Sequence, residues 1–180
     1  MAIEIDSNNY DAITFDCYGT LIDWEAGLTH YLRPLLLAHD CHAVDGFLLE
    51  FFGRTEAALQ AGRYRAYRHV LMAVLAALGE RLGFRPSPQA LEDFPESIGD
   101  WLPFPDTVPA LNALAVADGR ILHVAQSLYH DIAPATALGF DTVWIDRHDG
   151  HGGGATLTGQ ATPTWTLRNL SELVAALKVF

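Results

Sequence analysis

The sequence predicts an α/β fold: a small parallel sheet with flanking helices, interrupted by an all-helical insert. Three observations carry this. The run Tyr10-Asp11-Ala12-Ile13-Thr14-Phe15-Asp16 is apolar and β-branched, ends in an acid and passes at once to Gly19-Thr20, the pattern of a buried strand entering a loop. Residues 121–145 alternate strand, loop, helix and strand, a unit that builds parallel sheets. Residues 24–100 between them carry helical periodicity and no strand signal.

In chain order, the first core strand lies at Ile13. From Trp24 to about Ala38, the apolar residues Trp24, Leu28, Tyr31, Leu32, Leu35 and Leu36 recur at spacings of three and four, with Asp23 placed as a cap. A second helix is expected from Asp45 to about Ala61. A third presents Tyr67, Val70, Leu71, Val74, Leu75, Leu78 and Leu82 on one stripe and stops at Gly83, and Ser87-Pro88 opens a fourth. Trp101-Leu102-Pro103-Phe104-Pro105 reads as a stiff connector, after which Asp106 caps a short helix through Leu114.

The chain then returns to its core. Ile121–Ala125 is expected as a strand, Tyr129–Leu138 as a helix stopped by Gly139, and Thr142–Ile145 as a strand. A Gly-rich loop at 149–159, a short strand at Thr164–Leu167 and a closing helix at Ser171–Leu177 complete it. The expected domains are a discontinuous α/β core, residues 1–22 and 102–180, and a helical cap, residues 23–101. There is no internal repeat.

Composition narrows the function classes. At 180 residues the chain has room for one core with an appendage. With 22 acidic against 11 basic residues the net charge is −11, which repels a phosphate backbone, so no nucleic-acid partner is expected. No apolar run approaches the roughly 20 residues of a membrane span. Met1–Asn9 has two acids, no base and no apolar stretch, unlike a signal peptide, so a cytoplasmic location is expected. Cys17 and Cys41 are the two cysteines and read as free thiols. Ten of the eleven bases are arginine; the single lysine is Lys178.

The chemistry concentrates at Phe15-Asp16-Cys17-Tyr18-Gly19-Thr20-Leu21-Ile22-Asp23. A carboxylate at the carboxyl end of a parallel strand faces the crevice where α/β proteins bind ligands, and Gly19 allows the tight turn that aims backbone amides at an anion. This segment resembles the first motif of the haloacid dehalogenase superfamily. Leu122-His123-Val124-Ala125-Gln126-Ser127-Leu128-Tyr129-His130-Asp131 is similar to its fourth, and Ala137–Asp146 to the strand that follows. The resemblance implies a reduced haloacid-dehalogenase-like (Rossmann-like) parallel sheet with an inserted helical cap. Asp16 would then be a covalent nucleophile and Asp131 a supporting acid, while Tyr18, Gly19, Thr20, Gln126 and Ser127 would line the substrate.

Within the superfamily, phosphatases carry a second Asp two residues after the nucleophile to protonate the leaving group. Tyr18 stands there, which matches the 2-haloacid dehalogenases, whose halide leaves without a proton. The implied reaction is SN2 attack by Asp16 on the halogen-bearing carbon, then hydrolysis of the ester. The implied partner is a small molecule such as a short 2-halocarboxylate, and no cofactor is called for; Mg²⁺ enters only under the phosphatase alternative, held with Asp131. Asp131 also fits a plain helix N-terminal acid.

One segment is absent. The family places a Ser/Thr strand and an Asp-x-Tyr-Lys-Pro-type lysine between these motifs. Pro105–Ile121 spans 17 residues, against roughly 60 for two βα units at about 30 each. The only nearby cation is Arg120. The missing strands belong beside the nucleophile strand, so Ile13 is expected on a sheet edge, with either a homodimer paired through it or marginal stability. A catalytically impaired relative serving as a binding module is the other alternative. The arginine with which dehalogenases grip the substrate carboxylate has no clear counterpart; its place falls near Leu48, with Arg54 in reach. Asp40-Cys41-His42 with His39, and Asp146, His148, Asp149 and His151, read as solvated loop residues. Arg63, Arg65 and Arg68 beside Tyr64 and Tyr67 read as the polar face of the third helix.

Overall fold

The computed structural model describes residues 3–114, 121–148 and 161–177. They form two compact units, one drawn from the chain up to Asp23 and from Pro103 onward, the other Trp24–Leu102.

The first unit is a four-stranded parallel sheet of β1 (Ala12–Phe15), β2 (Ile121–Ala125), β3 (Asp141–Ile145) and β4 (Trp165–Leu167), ordered β1-β2-β3-β4. The register sets Ile13 beside Leu122, Phe15 beside Val124 and Val124 beside Val143. Alternation therefore sends Leu122, Val124, Val143 and Ile145 to one face, where they are fully buried. Two helices, α5 (Thr107–Ala113) and α7 (Leu170–Ala176), cover that face with Ala110, Leu170, Leu173 and Ala176. Each buried leucine contributes about 1.5–3 kcal/mol. The opposite face carries Thr14, His123 and Thr142 in a row. It is met by α6 (Ala133–Ala137), whose Thr136 hydroxyl lies 3.4 Å from that of Thr142.

β1 is the sheet's edge among the described residues, as the sequence predicts. Three local readings need correction. The strand starts at Ala12, not Tyr10: the buried Tyr10 hydroxyl donates to Asp141 (2.6 Å) and its ring meets Trp165 edge-on, anchoring the strand's entry instead of extending it. Asp106 does not cap α5 with its side chain, because its backbone is helical (φ −88, ψ −11) and its carboxylate turns to Leu170 N–H (2.7 Å) and Arg147. The helix after β2 opens as a π-helical turn, Leu128–Ile132. Pro134 has no N–H for the carbonyl four residues back and its ring crowds it, so the turn widens. Arg120, Lys178, Asp149 and His151 lie outside the described residues.

The second unit contains α1 (Trp24–Ala38), α2 (Asp45–Gln60), α3 (Tyr67–Leu82) and α4 (Pro88–Glu96), followed by a 3-10 turn at Ser97–Asp100. Leu28, Leu32, Leu36, Leu48, Phe52, Leu71, Leu75, Leu78 and Phe94 share its core. Ser87 accepts from Ala90 N–H to start α4, as its place before Pro88 predicts. Gly27 is required by close approach, since a Cβ there would stand 2.2 Å from Trp101 Cδ1. Among the described residues no helix is long and apolar enough to cross a membrane.

Candidate active site

Past Phe15 the ladder continues for one more bond, Asp16 N–H to the Val124 carbonyl at 3.0 Å, so Asp16 leaves the sheet at its carboxyl end. The chain then folds back on itself. Leu21 and Ile22 N–H both reach the Cys17 carbonyl (2.8 and 2.9 Å), and Gly19 N–H reaches that of Ile22 (2.8 Å). Gly19 has φ +92, a conformation a Cβ would strain.

This turn returns Thr20 to Asp16. The Thr20 side chain is inaccessible to solvent; its hydroxyl donates to Asp16 Oδ2 (2.8 Å) and accepts from Gln126 N–H (2.8 Å). A hydroxyl has one proton, and here it is committed: the amide must donate, so the proton points at the carboxylate. The Gln126 carbonyl in turn accepts from the Trp144 indole (2.8 Å). The ends of β1, β2 and β3 are thereby clipped together around Asp16.

Cys17 within this loop and three groups outside it complete the site's surroundings. Asp131, on the π-helical turn after β2, is pushed up to about 6, first by burial and then by the charge of Asp16, with His130 opposing. A buried carboxyl beside a second negative charge holds its proton more tightly than one in water. His123 is opposite Thr14 in the register, its Nδ1 2.9 Å from the Thr14 hydroxyl. Burial pushes its ring below the usual imidazole range, against the pull of Asp16. Burial, then Asp16, pushes the Cys17 thiol up, which keeps it from competing as a thiolate. Arg147, two residues past the end of β3, donates from Nη2 to the Thr20 carbonyl (2.7 Å) and lies 3.4 Å from Asp106.

The expected residues are thus dispersed over several tasks. Asp16, Thr20 and Gln126 form one hydrogen-bonded line, and Gly19 makes the turn. Tyr18 is exposed at 46%. The Ser127 hydroxyl accepts from His130 N–H (2.9 Å) and so starts the π-helical turn that carries Asp131. In the helical unit Leu48 is buried, and Arg54 is exposed and paired with Glu50 at 2.7 Å. Arg68 pairs with Glu92 and Glu96.

His123 and Arg147 are the two members the sequence reading misses. The only signal for Arg147 is its place beside Asp146 at the carboxyl end of a strand, where α/β sites gather. Asp16 and Asp131 are the oxygen donors available to a divalent cation, but among the described residues no third His, Cys, Asp or Glu joins to make a group of three.

No protein-family profile and no curated protein matches the sequence. Among solved structures the chain is similar to an L-2-haloacid dehalogenase from Xanthobacter autotrophicus at TM-score 0.73 and 16% identity, covering 94% of this chain and 98% of that one. The structure of that enzyme with chloropropionic acid covalently bound gives 0.72 and 15%, with the same coverage. A HAD-hydrolase, YfnB from Bacillus subtilis, bound to magnesium, gives 0.70 and 15%, covering 94% and 99%. The fold is that of the haloacid dehalogenases.

Proposed function

We propose that the chain is a hydrolase of the haloacid dehalogenase type, acting on a short 2-halocarboxylate through an ester on Asp16. The observation that carries this is the Thr20 hydroxyl on Asp16 Oδ2 (2.8 Å) at the carboxyl end of β1, with Tyr18 where a phosphatase acid would stand. Thr20 leaves Oδ1 uncommitted. That oxygen attacks the halogen-bearing carbon from behind, a carbon–oxygen bond forms, and halide departs with the electrons of the broken bond. Water then adds to the Asp16 carboxyl carbon, the ester carbon–oxygen bond breaks, and a 2-hydroxy acid leaves as the carboxylate is restored. The proton released from water passes to the Asp131 carboxylate, whose raised affinity for protons suits it to accept one near neutrality.

The test is halide release from each enantiomer of 2-chloropropionate, with Asp16→Asn alongside. Release from one enantiomer that falls on the order of 10⁴-fold or more in the variant is expected. A folded wild-type protein with no release would remove the reading.

A second reading, a shortened relative that binds without turnover, is favoured by one observation: the sheet stops at β1 among the described residues. The strands that would bring a serine or threonine and a lysine to the other side of Asp16 have no counterpart in the sequence. Losing one such donor costs about 10²- to 10³-fold in rate. Saturable binding of 2-chloropropionate without halide release would select this reading.

A further inference from the structure

We infer that Arg147 is the positioning residue of the nucleophile, holding Asp16 through the backbone of Thr20; the inference rests on the reading of Asp16 as the attacking group. Thr20 is gripped at both ends. Its hydroxyl sits between Asp16 and Gln126, and its carbonyl accepts from Arg147 Nη2 at 2.7 Å. The guanidinium carbon is 3.7 Å from the Phe104 ring centroid, and the same planar group faces Asp106 through Nη1 at 3.4 Å. Asp106 is itself fixed by Leu170 N–H at 2.7 Å. Phe104 N–H and the Thr107 hydroxyl both end on the Leu21 carbonyl (3.0 and 2.8 Å). A rigid fork stacked on an aromatic ring thus joins the start of α7 to the residue that orients the nucleophile.

Stability does not explain this arrangement. The Arg147 side chain is 12% exposed, and burial lowers its proton affinity more than Asp106 and Asp23 restore it. Its buried Nε has no hydrogen-bond partner among the described residues, and its contact with Asp106 is long for a charge-assisted bond. Buried pairs of this quality roughly break even against apolar side chains of the same size. The carboxylates that act on its charge are those of Asp106 and Asp23. What the fork does supply is geometry. Displacement of a reacting group by about 1 Å costs on the order of 10²-fold.

The experiment compares Arg147→Met, which keeps the apolar stem over Phe104, and Arg147→Lys, which keeps one donor for the Thr20 carbonyl. In halide release from 2-chloropropionate, Arg147→Met should lower kcat on the order of 10²-fold with KM within about threefold, and Arg147→Lys should recover about tenfold. In amide hydrogen exchange, Gly19, Leu21, Ile22 and Gln126 should speed up about tenfold in Arg147→Met, with the amides of the β2–β3 ladder unchanged. An unchanged kcat, or exchange that stays fixed at these four amides or rises equally across the sheet, would overturn the inference. If the wild-type protein releases no halide dependent on Asp16, the functional reading fails and exchange alone decides the role of Arg147.

Discussion

In the helical unit, charged side chains stay on the outside: Arg33 with Asp45, Arg54 with Glu50, and Arg68 with Glu92 and Glu96 are exposed ion pairs, each worth about 0–1 kcal/mol. Its interior is leucine, valine and phenylalanine, and its buried hydroxyls, Thr29 and Ser97, donate to carbonyls three or four positions back in the chain. In the sheet unit buried hydroxyls reach farther. Thr20, Thr107 and Thr142 are buried and bond to Gln126, Leu21 and Thr164, which are 106, 86 and 22 positions away, while the buried Ser127 caps its own turn. The two units show where hydrogen bonds stabilise little and where they fix position: at a solvated surface water competes for every donor, whereas a buried hydroxyl with one donor and one acceptor has a single orientation.

That contrast can be broken deliberately. Leu75→Ala removes a fully buried side chain from the helical core, and should cost about 2–5 kcal/mol in urea unfolding while leaving the exchange rates of the Asp16 loop amides unchanged. Thr20→Val keeps the shape of a buried residue but deletes the proton on Asp16 and the hydroxyl that accepts from Gln126 N–H; a loss on the order of 10²-fold in kcat is expected, with Thr20→Ser close to wild type.

Asp131→Asn sharpens the comparison by running the other way. The proton affinity of Asp131 in the fold, about 6, exceeds its ordinary 3.8, so the folded state holds more protons between these values and stability falls as pH rises through them. Asn should therefore stabilise the protein at pH 7 by roughly 1 kcal/mol, discounted for the partial exposure of the carboxyl, and the gain should vanish below about pH 4. A thermal melt series from pH 4 to 7 measures it.

The helices were legible because their stripes repeat locally, and Asp16 because strand, acid and glycine are adjacent in the chain. Thr14 and His123, or Arg147 and Thr20, come together only through parallel register and loop return over more than a hundred positions, which no local pattern encodes. Asp106 was misread for a related reason: an acid before a short helix normally caps it, but the amide of Leu170 offered its carboxylate a partner from 64 residues away. The edge position of β1, by contrast, followed from counting the residues between motifs, since chain length limits how many strands can be built.

The placement of α5 and α6 on opposite faces has a further consequence, in the handedness of the connections. β1 to β2 and β2 to β3 step the same way across the sheet, so helices on opposite sides give the two crossovers opposite hands. Such crossovers are right-handed in about 98% of cases, because a right-twisted strand leads its helix back onto the sheet in only one way. The short path through α6 is bound by that constraint; the path through α5, which first makes the excursion of the helical unit, is free of it. The left-handed connection therefore falls between β1 and β2. A strand added on the open side of β1, reached through the same α5, would restore the common hand.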